Sequence, residues 1–172
     1  MVSIILKALY FFLPAYFANM APVIFRKIPL LGIPIYEKWF GKNKTWRGLI
    51  VGVLLGTGIF FIQRLLYTNN LMADWVLIDY SGYTFLLGLL LALGAILGDM
   101  VESYFKRKKG LKPGKPWIPW DQLDFVLGAI ILSAFVYVPD ILVIVILLLI
   151  SPLLHILVNH IAYWLKIRKS RY

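Results

Sequence analysis

No cysteine occurs in the 172 residues, so disulfides and thiolate metal sites are excluded from the start. Charge is also scarce: 15% of residues are charged against 61% hydrophobic, and the mean hydropathy is +0.82. A water-soluble fold of this length has no interior large enough to hide so much apolar surface, whereas lipid solvates it. Acid is the scarcer sign, with eight Asp and Glu against eighteen Lys and Arg and a net charge of +10. Such a surplus raises nucleic acid as a partner. The cations, however, sit in short segments between apolar runs, so their counterparts are anionic lipid headgroups and phosphorylated small molecules, and no nucleic acid is expected. The middles of the apolar runs are nearly free of polar residues, which argues against a transporter or channel.

What the chain has in abundance is apolar sequence, in five runs to be judged against the ~20 residues a helix needs to cross about 30 Å of hydrocarbon. The expected fold is an all-α integral membrane protein, a bundle of five transmembrane helices with two basic cytoplasmic loops. It forms a single membrane domain over residues 1–172, with spans near 4–25, 49–67, 83–101, 122–138 and 141–165 and loops near 26–48 and 102–121. The apolar part of the fourth, Phe125 to Val138, is short and borrows length from Asp121 to Asp124. The fifth carries Pro152, which predicts a kink, and Val138-Pro139-Asp140 reads as a tight hairpin before it. Gly52, Gly56, Gly58, Gly88 and Gly94 suit close helix packing. The first run is read as a retained span rather than a signal peptide, because Lys7 lies inside it and no small-x-small site precedes Arg26-Lys27.

Orientation follows from the cations. Arg26, Lys27, Lys38, Lys42, Lys44 and Arg47 fall between spans one and two, and Lys106, Arg107, Lys108, Lys109, Lys112 and Lys115 between spans three and four. Lys166, Arg168, Lys169 and Arg171 follow span five, leaving Lys7 and Arg64 towards the other face. The positive-inside rule then makes both basic loops and the carboxyl tail cytoplasmic and the amino terminus external, in a multi-pass protein of the cell membrane. The opposite loop, Thr68 to Gly82, carries Asp74 and Asp79 and no cation. Trp39, Trp46, Trp117, Trp120 and Trp164 fall near the inner boundary, as an aromatic belt would.

The segment from Gly98 to Asp124 holds half of the chain's acid, namely Asp99, Glu102, Asp121 and Asp124, at the edge of a membrane span. A helix continuing out of span three aligns Asp99, Glu102, Ser103, Lys106 and Arg107 on one stripe, at spacing i, i+3, i+4, i+7, i+8. Asp121 and Asp124, three apart, share a face if the fourth helix starts early. Carboxylates gathered at a lipid–water boundary repel unless a cation lies among them, and hard oxygen ligands with open positions suit Mg²⁺. Asp99, Asp121 and Asp124 are therefore the candidate metal ligands. The alternative is that these charges only cap helix ends and anchor spans. Asn19, near the inner end of span one, should face protein or a wet cavity, either contacting nucleotide or metal or making a helix–helix hydrogen bond. His155 and Asn159, one turn apart in span five, read as interfacial hydrogen-bonding residues.

Gly98-Asp99, Ser103-x-x-Lys106-Arg107, Lys112, Ile118-Pro119 and Asp121-Gln122-Leu123-Asp124 occur in the order of a signature found in CDP-diacylglycerol synthases. Upstream, Asn43-Lys44-Thr45-Trp46-Arg47-Gly48 resembles the same family's Lys-Thr-Trp-Glu-Gly element. Chain length, span count and the segment Ala18 to Pro22 are most similar to the family's short archaeal branch, which makes CDP-archaeol. Three departures stand out. A His-Gly-Gly element of the bacterial form is missing after Pro119, Gln122 replaces an arginine, and Arg47 replaces a glutamate. These point away from a bacterial diacyl substrate, phosphatidic acid, which remains the alternative.

The resemblance implies cytidylyl transfer from CTP to a phosphorylated isoprenoid ether lipid, with Mg²⁺ as cofactor and with a homodimer as the assembly. On that reading Asp99, Asp121, Asp124, Lys106 and Arg107 are catalytic. Lys44, Thr45 and Arg47 approach the triphosphate from the first loop. Lys106, Arg107 and Lys112 hold pyrophosphate or the lipid phosphate from the second, where Ser103 donates to a phosphate oxygen or simply caps the helix. The missing histidine in both loops counts little, because a lipid phosphate is already ionised near neutral pH. Two other classes compete: an assembly subunit whose loops only bind anionic lipid, and a lipid or polyprenol kinase, which would release a nucleoside diphosphate instead of pyrophosphate.

Overall fold

The computed structural model describes residues 2–112 and 115–166. The expected tail cations Arg168, Lys169 and Arg171 lie outside the described residues. Among the described residues seven α-helices follow one another: α1 (Ile4–Phe11), α2 (Leu13–Ile24), α3 (Glu37–Phe40), α4 (Trp46–Thr68), α5 (Phe85–Lys108), α6 (Trp120–Ser133) and α7 (Ile141–Trp164). No strand forms among the described residues; one isolated bridge pairs Pro34 with Thr45. Helix is what lipid demands of a spanning segment, since only internal pairing satisfies the backbone there.

Three helices, α4, α5 and α7, are each long and apolar enough to cross a membrane, and α1 with α2 make a fourth crossing if the pair is one bent span. The first run was expected to be one continuous helix. It breaks at Phe12 and bends by 51°, because Pro14 has no N–H to give the Tyr10 carbonyl and its ring crowds that oxygen. The freed carbonyl is not left bare: the buried Gln63 side chain of α4 donates its amide N–H to Tyr10 O. The fourth run also differs from expectation. α6 is 14 residues long, about 21 Å at 1.5 Å per residue, and ends at Ser133 rather than Val138. Ala134 to Asp140 then link it to α7 without helix. The third helix does continue past the apolar run, through Lys108. It stops in a Schellman-type turn, with Gly110 at φ +72° and Leu111 N–H reaching Lys106 O at 3.0 Å.

α5 is the central helix: half of its most apolar window is buried, against 22% for α4 and for α7. It packs on α6 most extensively and also on α4 and α2. The α5–α6 contact is made backbone to backbone. A methyl group added at Gly94 would strike Gly128 O and, at 2.7 Å, Ala129 Cα; one at Gly98 would strike Asp124 O and, at 2.9 Å, its carbonyl carbon. Gly52 and Gly56 bring α4 close to α2 in the same way but less tightly, with Ala18 O and Pro14 O at 2.9 and 2.6 Å from the added methyls. Gly58, expected to pack in the same way, faces open space. On the opposite end, Asp79 accepts from the Ser81 hydroxyl and N–H at 2.5 and 2.9 Å, and these bonds hold its carboxyl below the usual carboxylate range.

Gly98→Ala should lower the unfolding midpoint in detergent, by about 1–3 kcal/mol for an overpacked contact that backbone atoms cannot relieve. Gly58→Ala should be neutral or stabilising by up to about 1 kcal/mol. Equal midpoints, read by intrinsic fluorescence, would show that the α5–α6 contact is dispensable.

Candidate functional site

The site begins with the two glycines just described. Gly98 lies directly before Asp99, and the Asp124 carbonyl sits against it, so the close crossing of α5 and α6 places carboxylates from both helices side by side. Asp99, Glu102 and Asp124 each offer an oxygen within 4.8 Å of the others. Asp99 and Glu102 are on one stripe of α5 because they are three apart. Asp124 also accepts from its neighbour's Phe125 N–H at 2.5 Å.

Asp121, expected in this trio, takes a different position. Its Oδ1 accepts from Lys106 Nζ at 2.5 Å and its Oδ2 from Trp117 N–H at 2.7 Å. The reason is local: Asp121 lies in the first turn of α6 and its carboxylate reaches back to the Trp117 N–H, in the segment that leads into the helix. Glu102 fills the vacancy. Its signal in the sequence is the three-residue spacing from Asp99 along the stripe of α5. Lys106 lies between the two acids, 3.3 Å from Glu102 and 2.5 Å from Asp121, and its side chain is only 10% exposed.

The first loop supplies the other lysine. After α2 the chain runs out and returns as a short hairpin, with Ile35 N–H to Lys44 O at 2.9 Å and Trp46 N–H to Ile33 O at 3.1 Å. Between these two segments lies α3, which packs on α5, and Trp39 stacks edge-on against Tyr104 at 5.9 Å. The hairpin delivers Lys44 Nζ to Asp99 Oδ2 at 2.5 Å. A shallow, half-open cleft with a volume of about 40 Å³ lies beside that pair, with Asn43, Lys44, Thr45 and Asp99 as its polar lining and Pro22, Ile35, Leu49 and Ile96 among its apolar walls. Asn43 opens the motif of the first loop, and its lining position is visible only in the fold.

The remaining candidates divide. Thr45 lines the cleft and caps α4, accepting from Gly48 N–H at 3.2 Å. Arg47 turns into the first loop instead, donating to Ile28 O and covering Gly32. Asn19 is half-buried on α2, one turn before the cleft-lining Pro22. Ser103 is buried on α5, and Arg107 is half-buried beside it. Lys112 is exposed in the second loop. His155 packs on Phe125 at 5.8 Å between ring centroids and bonds Asn159 at 3.2 Å, while Ser151 on the same face bonds the Tyr16 hydroxyl at 2.6 Å.

Four carboxylates answered by two lysines leave a formal surplus of two negative charges, gathered on hard oxygens with no sulfur ligand in the chain. The donor set fits a hard divalent cation. Fold and site together define an integral membrane protein with a carboxylate–lysine centre suited to phosphate chemistry. Comparison with known proteins makes the class specific. A family model described as CarS-like, CDP-archaeol synthase, matches residues 1–172. The CDP-archaeol synthase of Pyrococcus furiosus is 36% identical over 170 residues, covering 94% of this chain and 95% of that protein. That of Thermococcus onnurineus is 38% identical over 165 residues, covering 94% and 93%. A solved structure described as an intramembrane enzyme for archaeal membrane lipids biosynthesis superposes with a TM-score of 0.71 at 32% identity, covering 90% of this chain and 94% of that one. The chain belongs to the CDP-archaeol synthase family.

Lys106→Met should be strongly destabilising, by about 3–5 kcal/mol, since it strands Glu102 and Asp121 without their shared cation. Adding Glu102→Gln to that variant should recover part of the loss in thermal midpoint. No recovery would mean that the lysine acts through its packing rather than its charge.

Proposed function

We propose that Asp99, Glu102 and Asp124, with Lys44 and Lys106, form the centre at which this chain transfers a cytidylyl group. The chain is a CTP-dependent cytidylyltransferase of archaeal ether-lipid synthesis. A phosphate oxygen of the lipid attacks the α-phosphorus of CTP, the bond from that phosphorus to the bridging oxygen breaks, and pyrophosphate leaves with the electron pair. The lipid is unsaturated archaetidic acid, 2,3-di-O-geranylgeranylglyceryl phosphate, and the product is CDP-archaeol. Membership of the family carries the reaction, and the convergence of three carboxylate oxygens within 4.8 Å carries its location.

Such a transfer asks the protein to align two polyanions and offset their charge rather than to do covalent chemistry. Asp99, Glu102 and Asp124 would hold Mg²⁺, which when bound supplies positive charge against phosphate oxygens. Lys44 and Asn43 face the cleft and bind the triphosphate. Lys106, held by Glu102 and Asp121, presents its charge to the leaving pyrophosphate, with Arg107 and Lys112 on the same side. Asp121 orients Lys106, and Thr45 and Arg47 hold the loop that carries Lys44. No side chain has to remove a proton, because the attacking oxygen is already ionised.

The membrane arrangement is part of the same proposal. The chain forms one membrane domain in which α6 and the segment to Val138 make a fifth crossing. Phe135 and Val138, 81% and 66% exposed, are apolar side chains that only lipid would solvate. Both basic loops and the site face the cytoplasm and the amino terminus lies outside. The assembly is a homodimer, on the resemblance alone.

Purified protein given Mg²⁺, CTP and archaetidic acid should release pyrophosphate, and phosphatidic acid should serve less well. Release of CDP in its place would identify a kinase and overturn the reading. Asp124→Asn should cut turnover by about 100-fold or more, as loss of one key electrostatic group commonly does. Mg²⁺ should raise the thermal midpoint of the unaltered protein and leave that of Asp124→Asn nearly unmoved. A full Mg²⁺ response in the variant would remove Asp124 from the cation site.

A further inference from the structure

We propose that residues 28–33 of the first loop form an apolar wedge that inserts into the hydrocarbon of the adjoining leaflet and thereby holds Lys44 on Asp99. The loop would otherwise be an anomaly. Leu30 and Ile33 are 70% and 69% exposed, and Leu31 is 52% exposed, in a connection where polar residues are the norm. A contiguous apolar patch of that kind marks a contact with a partner or with membrane.

The display is built rather than slack. Leu31 adopts a left-handed φ of 53°, rare for a non-glycine residue and worth a functional question. Its carbonyl accepts from Arg47 N–H at 2.8 Å, and the Ile33 carbonyl from Trp46 N–H at 3.1 Å. The Arg47 guanidinium donates to Ile28 O and lies against Gly32. Side-chain and backbone bonds therefore fasten the segment from beneath while Leu30, Leu31 and Ile33 project away.

Depth selects the occupant. Trp46 and Arg47 are the first two residues of α4, a membrane-crossing helix, so the wedge lies within hydrogen-bond reach of the bilayer boundary. The patch continues onto the exposed side of α4 through Trp46, Ile50 and Leu54, spaced four apart along one helix face. Arg26, Lys27, Lys38 and Lys42 flank it with only Glu37 in opposition. Apolar side chains beside cations are the pattern of a segment lying in an anionic interface. The same cations would face one another if a second copy covered the patch symmetrically, so lipid is favoured over self-association.

The connection to the site runs through two residues. Ile35, just beyond the wedge, pairs with the backbone of Lys44, whose ammonium group sits 2.5 Å from Asp99. Bilayer anchorage of the wedge thus fixes the height of the returning segment and of its lysine.

The absence of cysteine allows a direct test on the whole chain. Ile33→Cys and Lys42→Cys, each carrying a nitroxide, are reconstituted in nanodiscs containing anionic lipid. At Ile33 the label should collide with dissolved oxygen several-fold more than with an aqueous nickel chelate, and at Lys42 the order should reverse. Equal water access at the two positions overturns the wedge. So does exclusion of both reagents from Ile33 with spin–spin broadening, which would place a second chain on the patch. The combined variant Leu30→Ser, Leu31→Ser, Ile33→Ser should raise the KM for CTP several-fold in nanodiscs. An unchanged KM, with the far-ultraviolet dichroism preserved, would break the link to Lys44. If that variant misfolds, the nitroxide comparison decides alone, since it needs no catalysis.

Discussion

Two helix backbones touching without side chains between them is the contact on which the rest of this molecule depends. At Gly94, Gly98 and Gly128 the main chains of α5 and α6 approach so closely that a single added methyl would overlap backbone atoms of the other helix. Lipid offers no hydrophobic drive for helices to associate, so close van der Waals packing of small residues must supply it. The crossing also sets the chemistry. Asp99 follows Gly98, and Asp124 presents its carbonyl to that glycine, so the residues that let the helices meet are neighbours of the residues that gather charge.

Charge gathered at a membrane boundary has to be compensated, and the chain does so from two directions. Lys106 is internal to the pair, rising from α5 to lie between Glu102 and Asp121. Lys44 arrives from the first loop, carried by a hairpin-like turn whose two arms bond each other and the start of α4. Even so, the acids outnumber these lysines. The acids that the lysines do not answer are hard oxygen donors of the kind a divalent cation takes, and the lysines are donors of the kind a phosphate takes. A centre with only carboxylates would repel a triphosphate; one with only lysines would have no place for a divalent ion.

The same economy governs the helix breaks. Pro14 interrupts the first span and frees the Tyr10 carbonyl, and a buried glutamine from α4 takes it up. Within hydrocarbon an unpaired carbonyl costs several kcal/mol, so Gln63 is as much a part of the bend as the proline. The bend lets α2 lean onto α4 and α5 and sets Pro22 against the cleft beside Asp99.

Sequence and tertiary structure contributed different things here. Composition, the apolar runs and the cation distribution were enough to establish a helical membrane protein, since the hydrocarbon imposes one length and one backbone solution on any spanning segment. The ordered motifs from Lys44 to Asp124 were enough to point to the family, and the stripe of α5 was legible because helical spacing is local. Which carboxylates meet was not legible. Asp121 and Asp124 share a face by period, yet one is taken up by Lys106 and the Trp117 N–H ahead of α6 and the other sits at the α5 crossing. Arg47 and Lys44 sit in one motif, but hairpin geometry turns the first into the loop and the second to Asp99. Local spacing is written in the chain itself; distances between groups tens of residues apart depend on how closely helices pack, and that is decided only when the backbones come together.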